Sequence, residues 1–237
     1  MQPDPRKGRA LRSEPDLSHK KRPTQQRAAA TYERILEIAA EVLADVGVER
    51  LSTNIVCERA GLTPPALYRY FPNKYALLCE LGRRLMQAQN ECALNWASVE
   101  AFRGSTDDLA QALQGLLIQT YEVTAQTVGG VWIMRAMRAV PAVQQVRLES
   151  HALVTNAQVE LLAQAFPGAP REQLQLVSRI VVELIYATVE MLFDEEMDIP
   201  AVASTVASMI ASQLPQMQQM VGDKTLAPRK AKRAKAK

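Results

Sequence analysis

Few side chains in this chain of 237 residues could do covalent, redox or metal chemistry. Three cysteines, Cys57, Cys79 and Cys92, are odd in number and lack C-x-x-C spacing, so neither a disulfide framework nor a zinc knuckle is indicated. His19 and His151 are the only histidines, too little material for a histidine-rich metal site or an acid–base relay. No G-x-S-x-G, Walker loop or G-x-G-x-x-G occurs. An enzyme is therefore not expected, nor a cofactor or a bound metal. The specific information sits between Gly47 and Leu78, in the run GVERLSTNIVCERAGLTPPALYRYFPNKYALL, where hydroxyls, an amide and an ammonium crowd together.

The elements that must position this stretch read as helices. Apolar residues make up 48% of the chain but aromatics only 5%, and Ala, Leu, Gln, Glu and Arg outweigh the 10 Gly and 13 Pro. From Thr24 to Gly47, Ile35, Ala39, Val42 and Val46 recur at three- and four-residue steps opposite Glu33, Glu37 and Glu41, which makes an amphipathic helix. Ser52 should cap a short helix over 53–60 that Gly61 stops. Thr63 should cap another that tolerates Pro64 and Pro65 in its first turn and ends near Phe71. Two short helices about a tight turn form the helix-turn-helix pattern. Further helices are expected over 74–96, 107–127, 131–140, 142–166, 171–193 and 202–214. The fold class is all-α, with about nine helices and no strand.

The net charge of +3 conceals a segregation. Residues 1–27 hold eight Lys or Arg against three acids, +5, and residues 223–237 hold seven against one, +6, so the body between them is at −8. Basic tails poor in large apolar residues are expected to be disordered, either as solubilising ends or as arms along nucleic-acid phosphates. The amino-terminal segment lacks the apolar core of a signal peptide, and the greasiest run, 180–193, carries Glu183 and Glu190 and is too short to span a membrane. A cytoplasmic protein without a membrane partner is expected.

The run from Gly47 to Leu78 strongly resembles the DNA-binding domain of the tetracycline-repressor (TetR) family of bacterial transcription regulators. The matching residues are Gly47, Ser52-Thr53, Ala60-Gly61, the LYRYF block from Leu67 to Phe71, Lys74 and Leu77-Leu78. The resemblance implies four segments: a basic arm 1–23, a helix-turn-helix domain 24–78, a ligand-binding and dimerisation domain 79–222, and a basic tail 223–237. It also implies that Thr63, Pro64, Pro65 and Ala66 face base edges in the major groove. Asn54 stands where relatives often read a base, and an Asn can bond adenine bidentately. Thr53, Tyr68, Tyr70 and Lys74 fall where the family holds phosphates; Tyr68 and Tyr70 could instead be core aromatics. Leu67, Phe71, Val56 and Cys57 are expected in the core. Many relatives carry Gly at the position of Pro65, and the proline pair removes two backbone donors. Residues 28–79 hold five basic and six acidic groups, so the grip on DNA must lean on a few placed contacts and on the arm.

For the remainder, the resemblance implies a homodimer on a near-palindromic double-stranded operator and regulation by a small, largely apolar effector. Candidate pocket residues are Trp96, Leu113, Leu117, Tyr121, Trp132, Met134, Met137, Leu153, Tyr186 and Met191. The last two helices are the expected dimer interface: residues 180–193 are apolar almost all round, and the row Ala203, Ala207, Ala211, with Met209 and Ile210, would let helices approach closely; the same row could serve inside one chain. Glu183 and Glu190 could pair with a cationic ligand, with Arg135 or Arg138, or edge an exposed face, and His151 is expected at the surface or satisfied within its helix. Two other readings compete: a helical small-molecule or lipid-binding module, and a nonspecific DNA-coating protein.

Overall fold

The computed structural model describes Leu17 and residues 26–218. The expected helix start at Thr24 and the basic segments 1–23 (Leu17 apart) and 223–237 lie outside the described residues. Within them there are ten helices and no strand: α1 (Gln26–Arg50), α2 (Thr53–Ala60), α3 (Pro64–Tyr68), α4 (Lys74–Trp96), α5 (Val99–Arg103), α6 (Thr106–Gln126), α7 (Gly130–Ala139), α8 (Pro141–Ala165), α9 (Arg171–Asp194) and α10 (Ile199–Ala211). The addition to the expected set is α5, a five-residue helix whose cap, Ser98, accepts from the Ala101 amide at 3.1 Å. The start of α10 is also earlier than Val202, because Asp198 caps it by accepting from the Ala201 amide.

Two apolar clusters fill the interior. The first joins Tyr32, Ile35, Leu36 and Leu43 of α1 to Leu67 of α3, Leu77, Leu81 and Leu85 of α4 and Ile133 and Met137 of α7. The second lies at the far end, around Cys92, Leu109, Leu113, Val159, Leu162 and Leu174. Helix α4 reaches from one to the other and so links the two ends mechanically. Arg84 on α4 donates to both carboxylate oxygens of Glu33 on α1 and to Glu80 at 3.2 Å, which pins α4 across α1.

The junction between α1 and α7 is unusually close. Gly129 caps α7 in the left-handed region (φ +69), and a Cβ there would stand 2.9 Å from the Ala40 carbonyl oxygen of α1. The ring of Trp132 lies 3.5 Å from the Cβ position of Gly47, where α1 kinks at φ 73. Gly129→Ala is expected to lower the urea unfolding free energy by at least about 1–2 kcal/mol, the cost of left-handed backbone for a residue bearing a Cβ. An unchanged denaturation midpoint would contradict this packing.

The alanine row of α10 corrects one expectation. Ala203, Ala207 and Ala211 are fully buried against the same chain, in the clusters that hold Leu117, Leu113 and Leu109 of α6. Small side chains do allow close helix approach here, but the neighbour is internal. Ser204, Ser208, Ser212 and Met209 face outward, and Ile210 is half-buried.

Candidate nucleic-acid interface and ligand cavities

The two-helix unit is built by caps. Ser52 Oγ accepts from the Ile55 amide at 3.3 Å to start α2, and Gly61, at φ 65, ends it with its amide on the Cys57 and Glu58 carbonyls. Thr63 precedes α3 as N-cap in extended backbone, and its hydroxyl makes no capping bond. Helix α3 stops at Tyr68 rather than near Phe71, since the chain turns through Arg69 and Tyr70. Asn73 then opens α4 by accepting from the Ala76 amide at 3.0 Å.

Within α3 the inward positions are Leu67, and Phe71 one turn on, both 0% exposed. Phe71 stacks on Tyr32 with ring centroids 4.9 Å apart. The outward side carries Thr63, Pro64, Pro65 and Tyr68, with Asn54 of α2 also exposed and Ala66 and Thr53 half-buried. Thr53 Oγ1 and Tyr68 OH lie 3.2 Å apart, so one hydrogen bond ties the first residue of α2 to the last of α3. A polar edge thus runs beside the apolar prolines. Val56 and Cys57 are buried, and burial pushes the Cys57 thiol above its ordinary value, which leaves it a small core residue rather than a reactive thiolate.

Two expected contacts are placed differently. The Tyr70 ring is half-buried and meets Tyr32 edge-on at 6.2 Å. Lys74 Nζ donates to the Val48 and Glu49 carbonyls, both at 3.5 Å, so its ammonium rests on the carbonyl end of α1. Arg69, exposed beside Tyr68, is a cation on the same unit that the sequence reading passed over. Its signal was its place in the LYRYF block. Arg59, by contrast, is paired with Asp45.

The carboxy-terminal region holds two cavities. The larger, about 390 Å³, lies between α5, α6, α9 and α10, under the indole of Trp96. That indole crosses Gly115, where a Cβ would overlap it at 2.4 Å, and its Nε1 donates to Gln119 Oε1 at 2.6 Å. The walls are mostly apolar, with Leu113 and Leu162 deep, Val181 half-buried and Ile180, Leu184 and Met209 at the exposed rim. A second chamber of about 50 Å³ sits between α4, α6, α8 and α9 and is lined by Gln89, Ser150, His151 and Tyr186. Leu116 and Gln158 line both spaces.

Of the ten expected pocket residues, Trp96 and Leu113 line the large cavity and Tyr186 the small chamber. The other seven lie elsewhere. Leu117, Met134 and Met137 belong to the first core cluster, and the Met137 sulfur packs on Gly82. Tyr121 stacks on Phe193 at 4.5 Å, Trp132 covers Gly47 and holds the Arg135 guanidinium 4.9 Å above its ring, Leu153 is 53% exposed, and Met191 is half-buried on α9.

Glu183 and Glu190 of α9 pair with arginines. Glu190 accepts both Nε and Nη2 of Arg138, while Arg135 turns to Asp194 at 2.7 Å. Glu183 gathers Arg147 and Arg179 together with Nδ1 of His151 at 3.1 Å. Burial raises the Glu183 carboxyl, but the hydrogen bond from His151 and the two guanidiniums outweigh it and hold the group below its usual value. His151, expected at the surface or satisfied within its helix, is only 3% exposed and meets Glu183 of α9, and burial pushes its pKa below the ordinary value against the pull of Glu183. Among the described residues there is no metal-binding cluster and no helix long and apolar enough to cross a membrane.

Residues 35–81 match the tetR family of bacterial regulatory proteins. Over 54 residues the chain is 44% identical to the class C tetracycline repressor protein of Escherichia coli, a stretch that covers 23% of this chain and 25% of that protein. The chain thus spans about a quarter of that relative's length. In fold it is similar to a tetR-family transcriptional regulator from Streptomyces coelicolor, with a TM-score of 0.58 at 16% identity, covering 85% of this chain and 91% of the other. It is also similar to the regulator FadR of Bacillus subtilis solved with stearoyl-CoA, with a TM-score of 0.52 at 19% identity, covering 76% of this chain and 98% of the other.

Proposed function

We propose, because residues 35–81 match the tetR family of bacterial regulatory proteins, that this chain is a member of that family and a cytoplasmic, sequence-specific transcription regulator rather than an enzyme. It binds a near-palindromic operator as a homodimer and leaves it when a small, largely apolar effector binds. The observation that carries the reading is the outward face of the two-helix unit. There Asn54, Thr63, Pro64, Pro65 and Tyr68 stand exposed on a scaffold fixed by Leu67 and Phe71.

In this reading α3 enters the major groove with Thr63, Pro64, Pro65 and Ala66 toward the bases, and the prolines and Ala66 meet thymine methyls. Asn54 and Thr63 supply the directional hydrogen bonds. Tyr68 and Thr53 hold phosphates, with Tyr70, Lys74 and Arg69 at the margin. The two copies associate through the outward face of α9, where Leu176, Ile180, Leu184 and Ala187 form an exposed stripe at helical spacing. Of the two helices first assigned to the interface, α9 keeps that role in this reading and the alanine row of α10 does not. Such a dimer presents two α3 helices about 34 Å apart, one turn of DNA.

The effector's apolar body occupies the large cavity, whose volume falls in the roughly 300–1,000 Å³ range of small-molecule sites. Stearoyl-CoA in the Bacillus subtilis FadR supports the idea that this fold accommodates long apolar ligands. Helix α4 runs from Lys74, against the end of α1, to Trp96 on the cavity wall, so a ligand that tilts α4 shifts α3 relative to its mate. By linkage, the operator must weaken the effector as much as the effector weakens the operator.

Fluorescence anisotropy with DNA from the region flanking the gene tests the assignment. Asn54→Ala and Thr63→Ala are each expected to cost about 1–3 kcal/mol on the operator and to leave affinity for random DNA unchanged. Equal losses on both DNAs would refute direct base reading by these residues.

A further inference from the structure

The small chamber is built differently from the large cavity. Gln89, His151 and Tyr186 are each at least nine-tenths buried, and each carries a polar atom without a hydrogen-bond partner: Gln89 Oε1, His151 Nε2 and Tyr186 OH. A buried polar group left unpaired is costly, so three on the lining of one chamber point to a ligand that pairs with them.

Their chemistry can be assigned from the bonds around them. Thr124 Oγ1 donates to the Thr120 carbonyl at 2.8 Å, so it can only accept from Gln89, whose Nε2 lies 2.7 Å away. That fixes the amide orientation and leaves Gln89 Oε1 as an acceptor. The Glu183 carboxylate only accepts, so the Nδ1 of His151, 3.1 Å from it, carries the ring proton. Burial keeps the ring neutral, and Nε2 is then a second acceptor. The phenol of Tyr186, likewise kept protonated by burial, can accept or donate. Buried Arg147 and its neighbour Arg179, both on Glu183, make the surroundings unfavourable for an additional cation.

We propose that the effector is an amphiphile with a neutral, hydrogen-bond-donating head, a primary alcohol or a primary amide. Its apolar body lies in the large cavity, and its head passes the wall shared at Leu116 and Gln158 into the chamber of Gln89, His151 and Tyr186. The inference rests on the effector reading above and adds the class of the head group. A carboxylate head would set its oxygens against two acceptors. The chamber, at about 50 Å³, has room for a head of a few atoms and not for the body. Gln89 sits on α4, so the head group pulls on the helix that carries Lys74 at its other end.

Competitive displacement of the neutral dye Nile red from the full-length protein tests this with three probes of one chain length: n-decanol, decyl methyl ether, which accepts but cannot donate, and decanoate. Decanol is expected to bind about tenfold more tightly than the ether or the acid, the difference one to two hydrogen bonds make. Tyr186→Phe and Gln89→Met should each narrow that gap while dye binding and melting temperature hold. Tyr186→Phe removes only an unpartnered hydroxyl, so a folding defect is not expected from it. Equal affinities, a preference for decanoate, or a gap that survives in both variants overturns the head-group assignment and leaves the effector cavity standing. If neither dye nor any probe binds, the cavity reading falls with it.

Discussion

Leu184→Glu is expected to turn the protein into a monomer and to weaken operator binding by about 10²–10⁴-fold, the range lost when two linked binding modules act singly. Leu184 is 45% exposed and stands in the outward stripe of α9 between Ile180 and Ala187. A carboxylate there has water in the monomer and none in a closed dimer, so the cost falls on association and not on folding. Analytical ultracentrifugation reads the first effect and anisotropy the second. Leu184 also rims the large cavity, so Leu176→Glu, off that wall and 60% exposed, is the companion variant. If both remain dimers, the interface lies elsewhere. Substituting Ala207, in contrast, should unfold or loosen the protomer, because the residue is 1% exposed against α6.

Phe71→Ala is expected to lower the unfolding free energy by about 3–5 kcal/mol, the usual loss for a buried phenylalanine. Marginal stabilities of roughly 5–15 kcal/mol leave little after that, so operator binding should vanish along with the cooperative transition at moderate temperature. The ring is 0% exposed, stacks on Tyr32 and sits where the turn after α3 meets α4. Tyr68→Phe, three residues earlier, removes the hydroxyl that meets Thr53 and should leave the denaturation midpoint nearly unchanged while weakening DNA binding. Urea denaturation followed by circular dichroism separates the two. A loss below about 1 kcal/mol for Phe71→Ala would be far outside the range for a packed core aromatic.

The amino-terminal unit was legible because its signals are local. Ser52, Gly61 and the paired prolines act on residues within a turn of themselves, and the alternation of Leu67 and Phe71 with Tyr68 and Arg69 separates core from surface in five positions. Helix α5 was missed because five residues between Ser98 and Gly104 carry no periodicity, although Ser98 is a cap. The cavities were much less legible. Periodicity identifies which face of a helix is apolar but not which neighbour covers it. Trp132, Met134 and Met137 looked like ligand-facing residues and instead join α7 to α1, α4 and α8. The alanine row of α10 correctly signals close helix approach, yet spacing cannot say whether the neighbour belongs to the same chain. His151 and Gln89 stood out in no pattern, because their importance comes from bonds across 32 and 35 positions of sequence.

These placements suggest how the two ends communicate. Helix α4 joins the chamber at Gln89 to the end of α1 at Lys74, and Trp132 on α7 bears on the Gly47 kink immediately before the two-helix unit. Both contacts converge on the same turn. In the proposed dimer, a ligand need only prefer one setting of this pair of helices to shift the spacing of the two α3 helices.

Footprinting of the purified protein on DNA flanking its own gene tests the central claim most directly. A protected near-palindrome with half-sites about one helical turn apart, competed poorly by random DNA, is the predicted result. Uniform protection with no preferred site, or no protection at all, would contradict the reading of this chain as a dimeric, sequence-specific regulator.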